Sequence, residues 1–333
     1  MGSDVAPKTG TVIELPGAAP ADPGRVWMVP QAAEVRGRRL VYAISDNDMA
    51  HGPGGGEPIW AVNLHGYFAG GGMYWRESAR LAGGMQWRVV NPSLPGFGGS
   101  EPIPWADLSM ESLADVISGL LDHLDIEQAV VLGHSMGGAV AVRFAHDHPD
   151  RCLGIICRDA AVPGTWKERK GLLPRLLDTL APDIGNAADL MLGALADVPD
   201  LAWGRAGAMV KGVLPDAWRN VGAATDALPV AAMLFGEDLD HVVEAVGRGP
   251  VPVLPVWGRF DRLVPPSTAR DFSNLVDEPV VWVSGGHSWM LPRPVTQRRV
   301  LQGHPQGRSF VDEVHARLRV EPARRQARPP RRS

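Results

Sequence analysis

Eight short apolar runs, each bounded by turn residues, alternate with longer stretches in which apolar residues recur every three or four positions. No other feature limits the fold as tightly, because such alternation is the pattern of a mostly parallel sheet whose neighbouring strands are joined by helical crossovers. The expected strands are Arg25 to Val29, Arg39 to Ile44, Ile59 to Leu64, Trp87 to Asn91, Ala129 to Leu132, Leu153 to Cys157, Val253 to Trp257 and Val280 to Val283. The plainest helix is Ser109 to Leu124, where Met110, Leu113, Val116, Ile117, Leu120 and Leu124 step along one face. Ser109 stands at its entry, with Glu111 and Asp115 in the first turns, where negative charge suits a helix N-terminus. The expectation is an α/β fold: a mostly parallel eight-stranded sheet with helices on both faces.

The pattern lapses at both ends and once inside the chain. Residues 1–24 and 321–333 are rich in Gly, Ala and Pro, with Arg added in the second, which predicts a flexible N-terminal segment and a disordered basic tail. From 162 to 249 nothing reads as a strand; Leu, Ala, Met and Trp recur with Pro and Gly punctuation, so this stretch is expected as a helical lid inserted into a core made of 25–161 and 250–320. With 333 residues, 45% hydrophobic and 21% charged, the chain can bury a sizeable core and is not collagen-like or wholly disordered. The net charge is −4, and the final thirteen residues hold five Arg and one Glu, so the body before them carries −8. Such a body repels polyanions, and no nucleic-acid partner is expected. No stretch approaches the ~18 consecutive apolar residues of a membrane helix, and the first residues lack a basic segment followed by an apolar core. No membrane span is therefore expected, and the expected location is the cytoplasm. Cys152 and Cys157 match neither a CxxC redox motif nor a zinc ribbon and are expected to be buried, reduced thiols.

Gly133-His134-Ser135-Met136-Gly137 fits GxSxG. With 39 glycines in the chain the bare pattern is weak, but here it lies between a strand, Val130-Val131-Leu132, and a helix beginning near Gly138. A serine in that position sits on a sharp, strained turn with Oγ above the sheet edge, and the glycines on either side remove side chains that would collide. The Met136 N–H, at the helix start, then points to where a carbonyl oxygen would gain charge. A serine hydroxyl needs a base, itself oriented by a carboxylate. Asp261 follows the strand ending at Trp257, and His287 follows the strand ending at Val283, behind Gly285-Gly286. Asp159, after the strand ending at Cys157, is a second candidate acid; because it leads into the lid, it is expected to cap a turn instead. A second oxyanion donor is expected at Tyr67, whose N–H Gly66 would turn inward, while His65 braces the loop by hydrogen bonds.

These residues together resemble the α/β-hydrolase fold superfamily, in its lid-bearing, esterase- and lipase-like form. His65-Gly66 resembles the oxyanion HG motif of that superfamily, and Ser93 to Ser100 (SLPGFGGS) its DxPGFGxS turn, with Ser93 where Asp is usual. GHSMGG at 133–138 resembles its nucleophile elbow, and Gly258 to Asp261 and Gly286-His287 its acid and base loops. The resemblance implies the α/β-hydrolase fold and a Ser135–His287–Asp261 catalytic triad with the Tyr67 and Met136 N–H groups as oxyanion hole. A serine at the elbow speaks against the relatives with an aspartyl nucleophile, the haloalkane dehalogenases and epoxide hydrolases.

Other constellations carry less. His146-Asp147-His148 ends a helix and is expected to serve the negative dipole end, not a metal. Gly54 to Gly56 and Gly70 to Gly72 lack the Lys-Ser/Thr of a phosphate loop, so neither a cofactor nor a metal is expected. A lid over Ser135 must turn an inner face to a small-molecule substrate, and Trp166, Trp203 and Met209, with Trp289 just past the base, are expected to line an apolar pocket. The expected reaction is hydrolysis of a carboxylic ester of an apolar acyl or aromatic substrate. Cleavage of a C–C bond in a vinylogous diketone is the alternative on the same scaffold. A non-hydrolytic member that binds or isomerises a small molecule is a third reading, which loss of a triad residue would favour.

Overall fold

The computed structural model describes residues 26–47, 56, 58–67, 69–162, 229–230, 232–234 and 236–326, with 319–326 described as backbone only. Eight strands form one sheet: β1 (Met28–Val35), β2 (Arg38–Ser45), β3 (Trp60–Leu64), β4 (Arg88–Pro92), β5 (Ala129–His134), β6 (Cys152–Arg158), β7 (Val253–Gly258) and β8 (Val281–Val283). Their order is β1-β2-β4-β3-β5-β6-β7-β8, antiparallel from β1 to β4 and parallel from there on. The expected strands are all present. The first is displaced toward the C-terminus and runs through Pro30; β1 is an edge strand, where a proline costs no ladder bond on its open side.

The helices are α1 (Trp75–Met85), α2 (Met110–His123), α3 (Met136–Asp147), α4 (Asp240–Gly247), α5 (Pro266–Val276), α6 (Thr296–Gly303) and α7 (Pro305–Gln326). Ser109 caps α2 through a capping box with Ser112, each side chain bonding the other's backbone N–H. Alternate side chains of each central strand face opposite ways. Val62, Val131, Ile155 and Trp257 pack with α2, α3, α4 and α5 on one face; Ala61, Val130, Ile156 and Val256 join the cluster of α1, α6 and α7 on the other. Cys152 and Cys157 are free and buried, and burial pushes the Cys152 thiol up to about 12.

Two expected boundaries move. Helix α4 lies within the stretch expected as lid, yet Val242, Val243 and Val246 are buried and the helix packs on α3 and α5, so it belongs to the core. Helix α7 runs to Gln326, past Glu321, where the basic tail was expected to begin. The expected N-terminal segment and most of the expected lid, including Trp166, Trp203 and Met209, lie outside the described residues.

Candidate active site

One residue makes the turn between β5 and α3. Ser135 adopts φ 52° and ψ −118°, a conformation that side-chain-bearing residues seldom take. Backbone bonds on both sides hold it there: its N–H donates to the Arg158 carbonyl (3.0 Å), and its carbonyl accepts from Gly138 (2.8 Å) and Ala161 (3.1 Å). The turn also needs space. A Cβ on Gly133 would overlap the Gly137 carbonyl, and one on Gly137 would lie 2.7 Å from the carbonyl oxygens of Leu64 and His65. The start of α3 is thus pressed against the end of β3, and Ser135 is only 3% exposed.

The loops after β7 and β8 bring Asp261 and His287 together. Asp261 Oδ1 accepts the Leu263 and Val264 N–H groups (2.8 and 2.9 Å), which fixes the carboxylate and turns Oδ2 to the imidazole. His287 Nδ1 lies 2.8 Å from that Oδ2, both side chains being buried. An ionised carboxylate only accepts, so Nδ1 carries the proton and Nε2 is the basic nitrogen of the neutral ring.

The loop after β3 closes the site. His65 Nδ1–H donates to the Gly66 carbonyl (2.8 Å), and its Nε2 accepts from the Leu94 N–H (2.8 Å), joining this loop to the PGFG turn. Burial lowers the His65 pKa to about 4, so the ring is neutral, as this bonding requires. In the PGFG turn the Ser93 Oγ accepts from the Gly71 N–H at 3.1 Å. Met136 opens α3, where N–H groups have no acceptor within the helix, and Tyr67 sits just past Gly66 on the facing loop, 9% exposed.

A profile of the alpha/beta hydrolase fold family matches residues 62–294, which takes in the serine turn and both downstream loops. The chain belongs to the alpha/beta hydrolase fold family. It is similar to a putative non-heme haloperoxidase of Mycobacterium phage D29, 28% identical over 72% of this chain and 84% of the relative. It is also similar to a 2-hydroxy-6-oxononadienedioate/2-hydroxy-6-oxononatrienedioate hydrolase of Cupriavidus pinatubonensis, 29% identical over 65% of this chain and 71% of the relative. Among solved structures, a thermophilic esterase from Thermogutta terrifontis superposes with a TM-score of 0.59 at 23% identity, over 86% of this chain and 99% of that one. That likeness is one of fold.

Within this alpha/beta hydrolase, two groups that the motifs leave unspecified tie the loops together. The Tyr74 hydroxyl donates to His134 Nδ1 (2.6 Å) and accepts the Gly66 N–H (3.3 Å), while His134 Nε2–H donates to the His287 carbonyl (2.9 Å). The rings of His134 and His287 lie 4.6 Å apart. Burial, reinforced by the neighbouring His287 and Arg158, holds the His134 pKa well below the usual histidine range. The wild-card position of GxSxG thus couples the loop of Gly66 to that of His287. Nothing in the motif foretold this, since x admits any residue.

Beneath these loops lies a buried polar network. Arg158 Nη1 contacts both Glu77 oxygens (2.8 and 2.7 Å), its Nη2 donates to Asn63 Oδ1 (2.6 Å), and Asn63 Nδ2 donates to Ser78 Oγ (2.9 Å). Both charges are fully out of water, so each depends on the other.

Trp289, expected to line an apolar pocket, points its indole N–H at Asp159, donating to Oδ2 at 2.5 Å. It is 1% exposed and packed in the core face of α1, α6 and α7. Asp159 accepts the Gly258 N–H through Oδ1 (2.8 Å), so it anchors the start of the Asp261 loop as well as Trp289. Asp159, Asp261 and His287 lie close enough to surround a cation, yet every carboxylate oxygen among them already accepts a hydrogen bond from the protein. His146 and His148 do not converge: one bonds Asp147 and the other Asp115. Among the described residues no helix is long and apolar enough to cross a membrane.

Proposed function

We propose that this protein is a serine hydrolase that cleaves a carboxylic ester of an apolar acyl or aromatic substrate through an acyl-enzyme. The observation that carries the reading is the bonded pair His287–Asp261, 2.8 Å apart, together with a serine held on a strained turn at a helix start, whose neighbour His134 bonds the His287 carbonyl. Ser135 Oγ attacks the ester carbonyl carbon as His287 Nε2 takes its proton, and Asp261 stabilises the imidazolium that forms. The N–H groups of Tyr67 and Met136 bond the oxyanion, and the alcohol departs with the proton from His287. Water, activated by the same imidazole, attacks the acyl-enzyme and releases the acid.

A second reading is hydrolysis of a C–C bond in a vinylogous diketone, favoured by the similarity to the Cupriavidus hydrolase named for a 2-hydroxy-6-oxo substrate. The two part in a single assay series. p-Nitrophenyl esters of graded chain length and a ring-fission diketone are offered to the wild type and to Ser135→Ala. The ester reading expects turnover of esters with far higher kcat/KM than the diketone, and its loss in the Ala variant at unchanged folded content. Preference for the diketone selects the second reading. Because His287 must be neutral to accept the proton, kcat/KM rises with pH through the range where histidines titrate. A flat profile from pH ~5 to ~8 that persists in His287→Ala contradicts the role of the base.

A further inference from the structure

Asp159 is buried to 0% exposure, directly after β6, with φ 46°. Aspartate and asparagine tolerate that left-handed backbone better than most residues, and here the carboxyl meets Gly258 and Trp289. Both oxygens are held: Oδ1 by the Gly258 N–H at 2.8 Å and Oδ2 by the Trp289 indole at 2.5 Å. One atom each of Asp159, Asp261 and His287 lies within 4.8 Å of the others, so two buried carboxyl groups occupy one site. Two carboxylates that close in a buried site repel each other, which favours a proton on one of them. Asp261 faces the His287 Nδ1–H and two backbone N–H groups, all of which favour the charged form, so the proton rests on Asp159.

We propose that Asp159 is a positioning residue of the triad: in its acid form it donates to the Asp261 carboxylate and clamps that carboxylate, Gly258 and Trp289 into one unit aimed at His287. The inference rests on the serine-hydrolase reading. It accounts for two features that reading leaves unused, the strained buried aspartate and the buried tryptophan two residues past the base. It also has an electrostatic consequence. The ionisable groups around Asp159 are Asp261 and His287 from the loops after β7 and β8, Tyr74 from the 3-10 turn before α1, and Arg158, paired with Glu77; His134 lies against His287. With the acid form in place, His287 faces a single negative charge and stays a base near neutral pH. A second carboxylate charge there would hold the proton on His287 and withdraw the base. Burial and the charge of Asp261 push the Asp159 carboxyl well above the usual range, in keeping with this.

The test compares wild type with Asp159→Asn, Asp159→Ala and Trp289→Phe at equal folded content, by kcat, KM and the acid limb of kcat/KM. Asn keeps a donor and the backbone preference but can accept from only one of the Gly258 and Trp289 N–H groups, so it should lose about tenfold in kcat, less than Ala, with the acid limb unmoved. Ala should lose about thirtyfold or more in kcat with little change in KM, and Trp289→Phe, which removes one donor and supplies a second route should Ala misfold, about tenfold. In the infrared difference spectrum of wild type minus Asp159→Asn near neutral pH, a carboxylic-acid carbonyl band should appear in the wild type. Full kcat in both Ala and Phe variants overturns the positioning role. A difference spectrum with only carboxylate bands, or an acid limb about one unit lower in the Asn variant, overturns the acid form. If Ser135→Ala still turns over esters, the underlying triad reading fails instead, and the infrared band reports on Asp159 independently of that failure.

Discussion

At the scale of single residues, the proposed acid and base, Asp261 and His287, both stand just past a strand end. Asp261 and His287 could be found in the sequence because each stands directly behind an apolar run, beside glycines, and the structure brings them to 2.8 Å. The bond from Trp289 to Asp159 could not be read the same way. A tryptophan two residues past a base reads alike whether it turns to the substrate or to the core, and only its tertiary partner Asp159 distinguishes the two. In our account Asp261→Asn removes the charge facing the imidazolium and favours the wrong tautomer, so kcat should fall on the order of 10⁴-fold, as for the equivalent change in serine proteases. Steady-state kinetics at equal folded content measures this, and a loss below about tenfold would transfer the acid role elsewhere.

Between elements, the buried pair Arg158–Glu77 joins the end of β6 to α1 under the site. Removing one partner strands a buried charge. Glu77→Ala should therefore destabilise the fold by about 3–5 kcal/mol, read from urea midpoints, whereas a cost under about 1 kcal/mol would mean that water replaces the lost carboxylate. This pair was not legible in the sequence, because its members are 81 positions apart and each alone reads as a surface charge. The strands and α2 were legible, since periodicity and a cap are local signals. Helix α4 was not separable from the stretch expected as lid, because Val242, Val243 and Val246 show an apolar face without saying what it packs on.

For the molecule as a whole, pH links the site to stability. His65 is held neutral when folded, with its pKa lowered to about 4, but takes a proton near 6.5 when unfolded. Between those values the unfolded chain binds more protons, so His65 weakens the fold as pH drops, by about 1.4 kcal/mol per pH unit. The unfolding free energy of His65→Asn should thus depend less steeply on pH than that of the wild type between pH ~4 and ~6.5, and parallel curves would show that His65 titrates normally. The lid expectation can be tested on the same scale. Replacing residues 163–228 with a short linker spares α4, and should change the ranking of ester chain lengths while the sheet stays folded; an unchanged ranking would mean that this segment does not meet the substrate.

The central claim is that Ser135 is a nucleophile activated by His287. The most direct measurement is covalent labelling with a fluorophosphonate, followed by peptide mass spectrometry, in the wild type, Ser135→Ala and His287→Ala. The account predicts one adduct, on Ser135, absent from the Ala variant and formed far more slowly without His287. Labelling at another residue, or none in a folded wild-type protein, would contradict it.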